Sequence, residues 1–227
     1  MVKEPENSNQ DPRDLKTYQY DLTTFRRIAT GSLKLLFRGF TIIHAEGTHN
    51  LPEEGPVILV SNHLSVYDMF PIQFVLPRPL FYMAKDELHQ NVVLDPILRQ
   101  LGSFPVKRGA RDTWAMDHAA KVLAHGQVLA MFPEGTRSSK GLKTGKSGAA
   151  RLALAEKCPI APVALEGTQT MFSGFPTRQH VNIKMGELIL PEPDETILAL
   201  TDRMMFTLAE MLPPELRGVY SEHPPGF

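Results

Sequence analysis

A histidine and an aspartate stand five residues apart in the run Ser61-Asn62-His63-Leu64-Ser65-Val66-Tyr67-Asp68. A hydroxyl with a pKa near that of water is a poor nucleophile, so transferring a group onto it needs a base that takes the proton as the new bond forms. Imidazole suits this task near neutral pH. The base works better when a carboxylate holds its other ring nitrogen, fixing the tautomer and stabilising the imidazolium. Asp68 can reach back across a turn and the first turn of a helix to do that for His63, and such a base contributes about 10²- to 10⁴-fold to rate. The spacing alone is weak, because a histidine near a helix start also serves as a cap or a core residue.

The elements around the pair are those of an α/β chain. Residues 57–60, 80–84, 103–107, 128–132, 160–165 and 181–185 read as strands from their length, apolar content and flanking Gly or Pro. Helical patterns near 68–75, 92–101, 112–125 and 147–157 fall between them, and 194–212 closes the chain with a helix capped by Asp194 and stopped by Pro213-Pro214. Strand and helix in alternation predict a sheet with helices on its faces. His63 leaves the carboxyl end of a strand, where α/β proteins usually bind ligands. Residues 1–18 are polar, without periodic apolar positions, and read as disordered or loosely attached. Over 20–40 the residues Leu22, Phe25, Ala29, Leu33, Leu36 and Phe40 share one helical face, with Arg27, Lys34 and Arg38 opposite. That segment, 19–45, suits a helix lying in the headgroup layer of a membrane, or one packed on the core or on a second subunit. Residues 46–227 form the α/β domain.

Bulk properties narrow the function. The 227 residues are 42% hydrophobic and 22% charged, enough for one sizeable core. The net charge of −1 offers no global attraction to nucleic acid, so any anion binding must come from local clusters. Cys158 is the only cysteine, which excludes an intrachain disulfide and thiolate clusters and fits a small buried hydrophobe. The N-terminal residues lack an apolar signal region, so a cytoplasmic location is expected. The eight histidines contain no H-x-H or H-E-x-x-H, against a metal-dependent hydrolase. In Gly141-Leu142-Lys143-Thr144-Gly145-Lys146-Ser147 three residues separate the glycines where a P-loop needs four, and no apolar strand leads directly into it. Ser147 follows polar loop rather than the strand a serine-hydrolase elbow requires. The stretch reads as a flexible basic loop.

Two further clusters complete a pattern. Gly102-Ser103-Phe104-Pro105-Val106-Lys107-Arg108-Gly109 and Phe132-Pro133-Glu134-Gly135-Thr136-Arg137-Ser138 each end a strand with cations. With Asn62-His63 and Pro159-Ile160-Ala161-Pro162-Val163, they stand in the order and rough spacing of the four blocks of the glycerophospholipid acyltransferase family. The chain resembles that family, most of all its bacterial 1-acylglycerol-3-phosphate acyltransferases, over roughly residues 35–190. The resemblance implies a mixed, largely parallel sheet flanked by helices. It implies His63 and Asp68 as the catalytic pair, acting directly on a thioester without an acyl-enzyme. It implies substrate binding by Asn62, Lys107, Arg108, Glu134, Gly135, Thr136 and Arg137, with Pro162 on the acyl-chain side. The substrates implied are a lysophospholipid and acyl-CoA or acyl carrier protein, used at the cytoplasmic face of a membrane, with no cofactor and no metal.

Physical chemistry agrees with those roles. An Arg fork with a neighbouring Lys holds a phosphate monoester with geometry as well as charge, and Gly135 allows close backbone approach. Glu134 can hold a substrate hydroxyl, orient Arg137 or simply sit on a surface turn. A solvated strand end is the plain alternative for Lys107 and Arg108. A related acyltransferase with another lyso-lipid acceptor, and a non-catalytic lipid-binding protein, are the competing readings.

Overall fold

The fold is organised around Val57-Ile58-Leu59-Val60, which has no solvent exposure at any of its four residues. A computed structural model describes residues 11–107, 109 and 111–222. The seven strands are β1 (Thr41–Glu46), β2 (Val57–Ser61), β3 (Leu80–Lys85), β4 (Ser103–Val106), β5 (Val128–Met131), β6 (Ile160–Glu166) and β7 (Gln179–Met185). They form one sheet in the order β1-β7-β6-β2-β5-β3-β4. Every neighbouring pair is parallel except β6 with β7. β2 is the middle strand, paired on both edges, so an unbroken apolar run rather than an alternating one is what it needs.

The helices are α1 (Thr24–Phe37), α2 (Met69–Val75), α3 (Asp86–His89), α4 (Leu94–Gln100), α5 (Thr113–Ala124), α6 (Gly148–Glu156) and α7 (Ile197–Glu210). Because side chains alternate along a strand, Ile58 and Val60 join one core with α5, α6 and α7, through residues such as Val122, Leu152 and Met204. Val57 and Leu59 join the other with α1 and α2, through Phe37, Ile72 and Phe74. Each such aliphatic side chain contributes about 1.5–3 kcal/mol by leaving water. Cys158 lies within the first core, its thiol pushed up to about 11 by burial, and is inert at neutral pH.

The structure corrects the N-terminal reading in three places. First, residues 11–18 are not loosely attached. Arg13 is buried, and its guanidinium donates to Asp112 at 2.6 and 2.9 Å and to Asp11, beneath the Trp114 ring. Composition hid this, because a polar segment can be held by ion pairs instead of apolar contacts. Second, residues 41–45 of the supposed helical segment belong to β1, an edge strand whose outer half is solvent-exposed and so lacks an apolar signature. Third, the stripe read over 20–40 divides between the two settings expected for it. Arg26, Leu33 and Phe37 turn inward while Phe25, Ile28, Leu35 and Leu36 are exposed, Leu35 by 73%.

Arg26 is the anchor of α1. Its guanidinium donates to the Leu80 carbonyl, lies 3.5 Å from the Gln73 side-chain oxygen, and stacks 4.6 Å from the Phe81 ring centre. Gly102, at φ +89, leaves the space: a Cβ there would stand 2.5 Å from the Arg26 Nη2. At the other end of the chain, Thr196 caps α7 in place of Asp194, which adopts φ +63 two residues earlier.

Replacing Arg13 leaves the Asp112 carboxylate buried without its cationic partner, a change that costs about 3 kcal/mol. The expected result for Arg13→Ala is a lower melting temperature together with new proteolytic cleavage within residues 11–22. Unchanged protection of that segment would show that the ion pair does not hold it.

Candidate active site

The carboxyl end of β2 delivers Asn62 and His63 directly beside the turn that follows β5. Asn62 is buried, and both ends of its amide are taken by one residue of β6: Nδ2 donates to the Leu165 carbonyl at 2.9 Å and Oδ1 accepts from the Leu165 N–H at 2.8 Å. The group expected to touch substrate instead extends the β2–β6 pairing beyond its last strand residue and so fixes the level at which His63 emerges.

His63 Nδ1 lies 2.7 Å from Asp68 Oδ2. Asp68 is 1% exposed and accepts three further donors: the N–H of Leu64 at 2.8 Å, the N–H of Ser65 at 2.9 Å, and the Thr168 hydroxyl. A carboxylate that only accepts requires the proton on His63 Nδ1, which leaves Nε2 with its lone pair. The imidazole stacks on Phe132, with ring centres 4.0 Å apart and planes 13° from parallel. The ring is thus held at one edge and on one face, with Nε2 able to take a proton from a hydroxyl placed against it.

The backbone of His63 is clamped as firmly as its ring. Its N–H donates to Glu134 Oε1 at 2.9 Å, and its carbonyl accepts from the Ser138 N–H at 2.8 Å. The second oxygen of Glu134 accepts from the Lys143 N–H at 3.0 Å. Glu134 therefore neither orients Arg137 nor sits on the surface. It is buried, with its pKa raised by desolvation, which the two backbone donors only partly offset. Gly135 makes this turn possible at φ +67, with its N–H donating to the Phe132 carbonyl at 3.0 Å.

The expected phosphate binders do not converge in one place. Thr136 and Arg137 are exposed on the same turn, within two residues of the Ser138 bond to His63. Lys107 follows β4 at the sheet edge, with β5 and β3 between it and β2, so those strand ends are roughly 14 Å apart. Its ammonium lies 4.0 Å from Asp11. Arg108 lies outside the described residues. Among the described residues no group of three or more His, Cys, Asp or Glu is placed to hold a metal ion.

An acyltransferase family model matches residues 42–166, a span that contains His63, Asp68 and the turn clamping them. The chain belongs to the acyltransferase family. It is 32% identical over 119 residues to a Bacillus subtilis protein named 1-acyl-sn-glycerol-3-phosphate acyltransferase, a match covering 52% of this chain and 59% of the other. A protein of the same name from Streptococcus pneumoniae is 29% identical over 182 residues, 79% of this chain and 66% of that one. The chain thus spans about three fifths to two thirds of these relatives. The crystal structure of a 1-acyl-sn-glycerophosphate acyltransferase from Thermotoga maritima has the same fold, with a TM-score of 0.66, 24% identity and coverage of 81% of this chain and 78% of that one.

Two residues of this acyltransferase site escaped sequence reading, Phe132 and Thr168. Thr168 follows Gly167 at the end of β6, one hundred residues from Asp68, and only strand order brings them together. The signal available was positional: β6 neighbours β2, and Glu166-Gly167-Thr168 leaves its carboxyl end. Thr168→Val removes a donor to a buried carboxylate, a bond to a charged group worth about 1.5–3 kcal/mol. The expected outcome is a fall in kcat of about tenfold, little change in KM, and recovery in Thr168→Ser. A kcat equal to wild type in the valine variant would remove Thr168 from the site.

Proposed function

We propose that the chain transfers a fatty acyl group from a thioester, acyl-CoA or acyl carrier protein, to the free hydroxyl of 1-acylglycerol-3-phosphate, giving phosphatidic acid. The observation that carries this reading is the single geometry of His63, held through Nδ1 by a buried carboxylate and stacked on Phe132, with Nε2 left as the base. The names of the related proteins supply the substrate class.

In this reaction the acceptor hydroxyl gives its proton to His63 Nε2 as its oxygen attacks the thioester carbon. The imidazolium that forms is stabilised by Asp68, whose charge is fixed in place beforehand. The tetrahedral intermediate collapses with departure of a thiolate. Thiols ionise near about pH 8.5, so this leaving group departs without help from an acid, and the proton on His63 neutralises it afterwards. Arg137, on the turn bonded to the His63 carbonyl, holds the headgroup phosphate.

The acyl chain needs an apolar environment, and Leu33, Met69, Phe70, Phe74 and Leu80 line a small apolar cleft of about 20 Å³, with Met69 following Asp68 directly in the chain. The outward Phe25, Ile28, Leu35 and Leu36 of α1 fit work at a membrane surface, and the cytoplasmic face is the side proposed for it. Among the described residues no helix is long and apolar enough to cross a membrane.

Removing the base tests the reading. His63→Ala is expected to lower thiol release from acyl-CoA in the presence of lysophosphatidate by about 10²- to 10⁴-fold, while lysophosphatidate binding persists. Near-normal turnover in that variant would exclude His63 as the base.

A further inference from the structure

The loop over residues 141–147, read from sequence as a flexible basic loop, is stitched to the site. The Lys143 N–H donates to Glu134, the Lys146 N–H donates to the Pro133 carbonyl at 2.8 Å, and the Gly145 N–H donates to the Tyr220 hydroxyl at 2.9 Å. The side chain of Lys146 lies across the bare α-carbon of Gly135. A Cβ on Gly135 would stand 2.5 Å from Lys146 Nζ, 2.9 Å from its Cε and 3.2 Å from its Cδ. Gly135 therefore serves twice, permitting a left-handed turn and leaving a seat for an ammonium group.

The charges around that seat are mostly of one sign. Residues 134–147 carry Arg137, Lys140, Lys143 and Lys146 against one acid, Glu134. Both oxygens of Glu134 are occupied by the backbone of His63 and Lys143. Among the described residues none of the four cations lies within ion-pairing distance of an acid, and the Lys143 ammonium donates instead to the Arg137 carbonyl at 3.3 Å. Like charges gathered without counter-ions repel, so such a cluster is stabilised by an anion from outside the chain. The turn against which Lys146 is seated also carries Phe132, stacked on the His63 ring, and Ser138, bonded to the His63 carbonyl.

We propose that Lys146, seated on Gly135, binds a phosphate oxygen of a substrate beside His63, with Arg137 and Lys143 completing the positive surface. The inference rests on the acyl-transfer reading above. Two sources present that chemistry: the phosphate monoester of the acceptor and the phosphates of a coenzyme A donor. Lys146 lies, like Arg137, at the turn bonded to His63, whereas Lys107 follows β4 at the sheet edge.

The test compares wild type with Lys146→Gln and Lys146→Arg in steady-state acyl transfer. Losing one charge-assisted bond predicts a rise in KM of about tenfold for one substrate, with kcat within about twofold and the melting temperature unchanged. A rise confined to lysophosphatidate, and absent with 1-monoacylglycerol, assigns the site to the acceptor. A rise confined to acyl-CoA, and absent with acyl-pantetheine, assigns it to the donor. The arginine variant is expected to recover most of the loss in either case. Unchanged KM values for both substrates in Lys146→Gln would overturn the proposal. If wild type does not turn over lysophosphatidate at all, the functional reading fails by itself. Equilibrium binding of lysophosphatidate and of coenzyme A to wild type and Lys146→Gln then decides the anion site, since equal affinities refute it and weaker binding by the variant supports it.

Discussion

The Asp68 carboxylate is out of water and surrounded by donors: the imidazole of His63, two successive backbone N–H groups and the hydroxyl of Thr168. A buried charge is tolerated only when its lone pairs are satisfied, and satisfying them draws in three parts of the chain. The loop after β2 must curl so that Leu64 and Ser65 point inward. The first turn of α2 must start at Asp68. The end of β6 must lie beside β2. Much of the sheet order can be understood as the scaffold that lets one carboxylate meet these partners at once, and the ring orientation of His63 follows from it.

A second carboxylate does complementary work from the opposite side. Glu134 is spent entirely on the backbone, joining the His63 N–H to the Lys143 N–H. Side chains and main chain are thus fixed by different acids, one from the helix after β2 and one from the turn after β5. The division explains why an acid sits in a region otherwise crowded with cations. It organises the peptide groups while leaving the lysine and arginine charges uncancelled.

Much of this was legible in the residues, and the parts that were not share a cause. Val57-Ile58-Leu59-Val60 announces a central strand because both faces are covered, and the His63/Asp68 spacing announces a local contact. β1 was invisible because an edge strand with Thr41 buried and Glu46 exposed has no alternation to detect. Asn62 and Glu134 were recognised as site residues but given substrate-facing roles, since spacing reveals proximity to a site and not which way a polar group turns. Thr168 and Arg13 act across about a hundred residues of chain, through contacts that no local pattern encodes. The basic loop over 141–147 reads as flexible because its ties run through backbone N–H groups, which every sequence possesses.

Arg26 reaches from α1 into the sheet and binds the backbone at the start of β3, in a hollow kept open by Gly102. A helix held only by greasy contacts can roll or slide on its bed, whereas a guanidinium locked under a strand works like a pin through a hinge leaf. The outward row of Phe25, Ile28, Leu35 and Leu36 is consequently registered to the same framework that positions His63. Any flat surface on which that row comes to rest is set at one angle and one depth relative to the reacting imidazole.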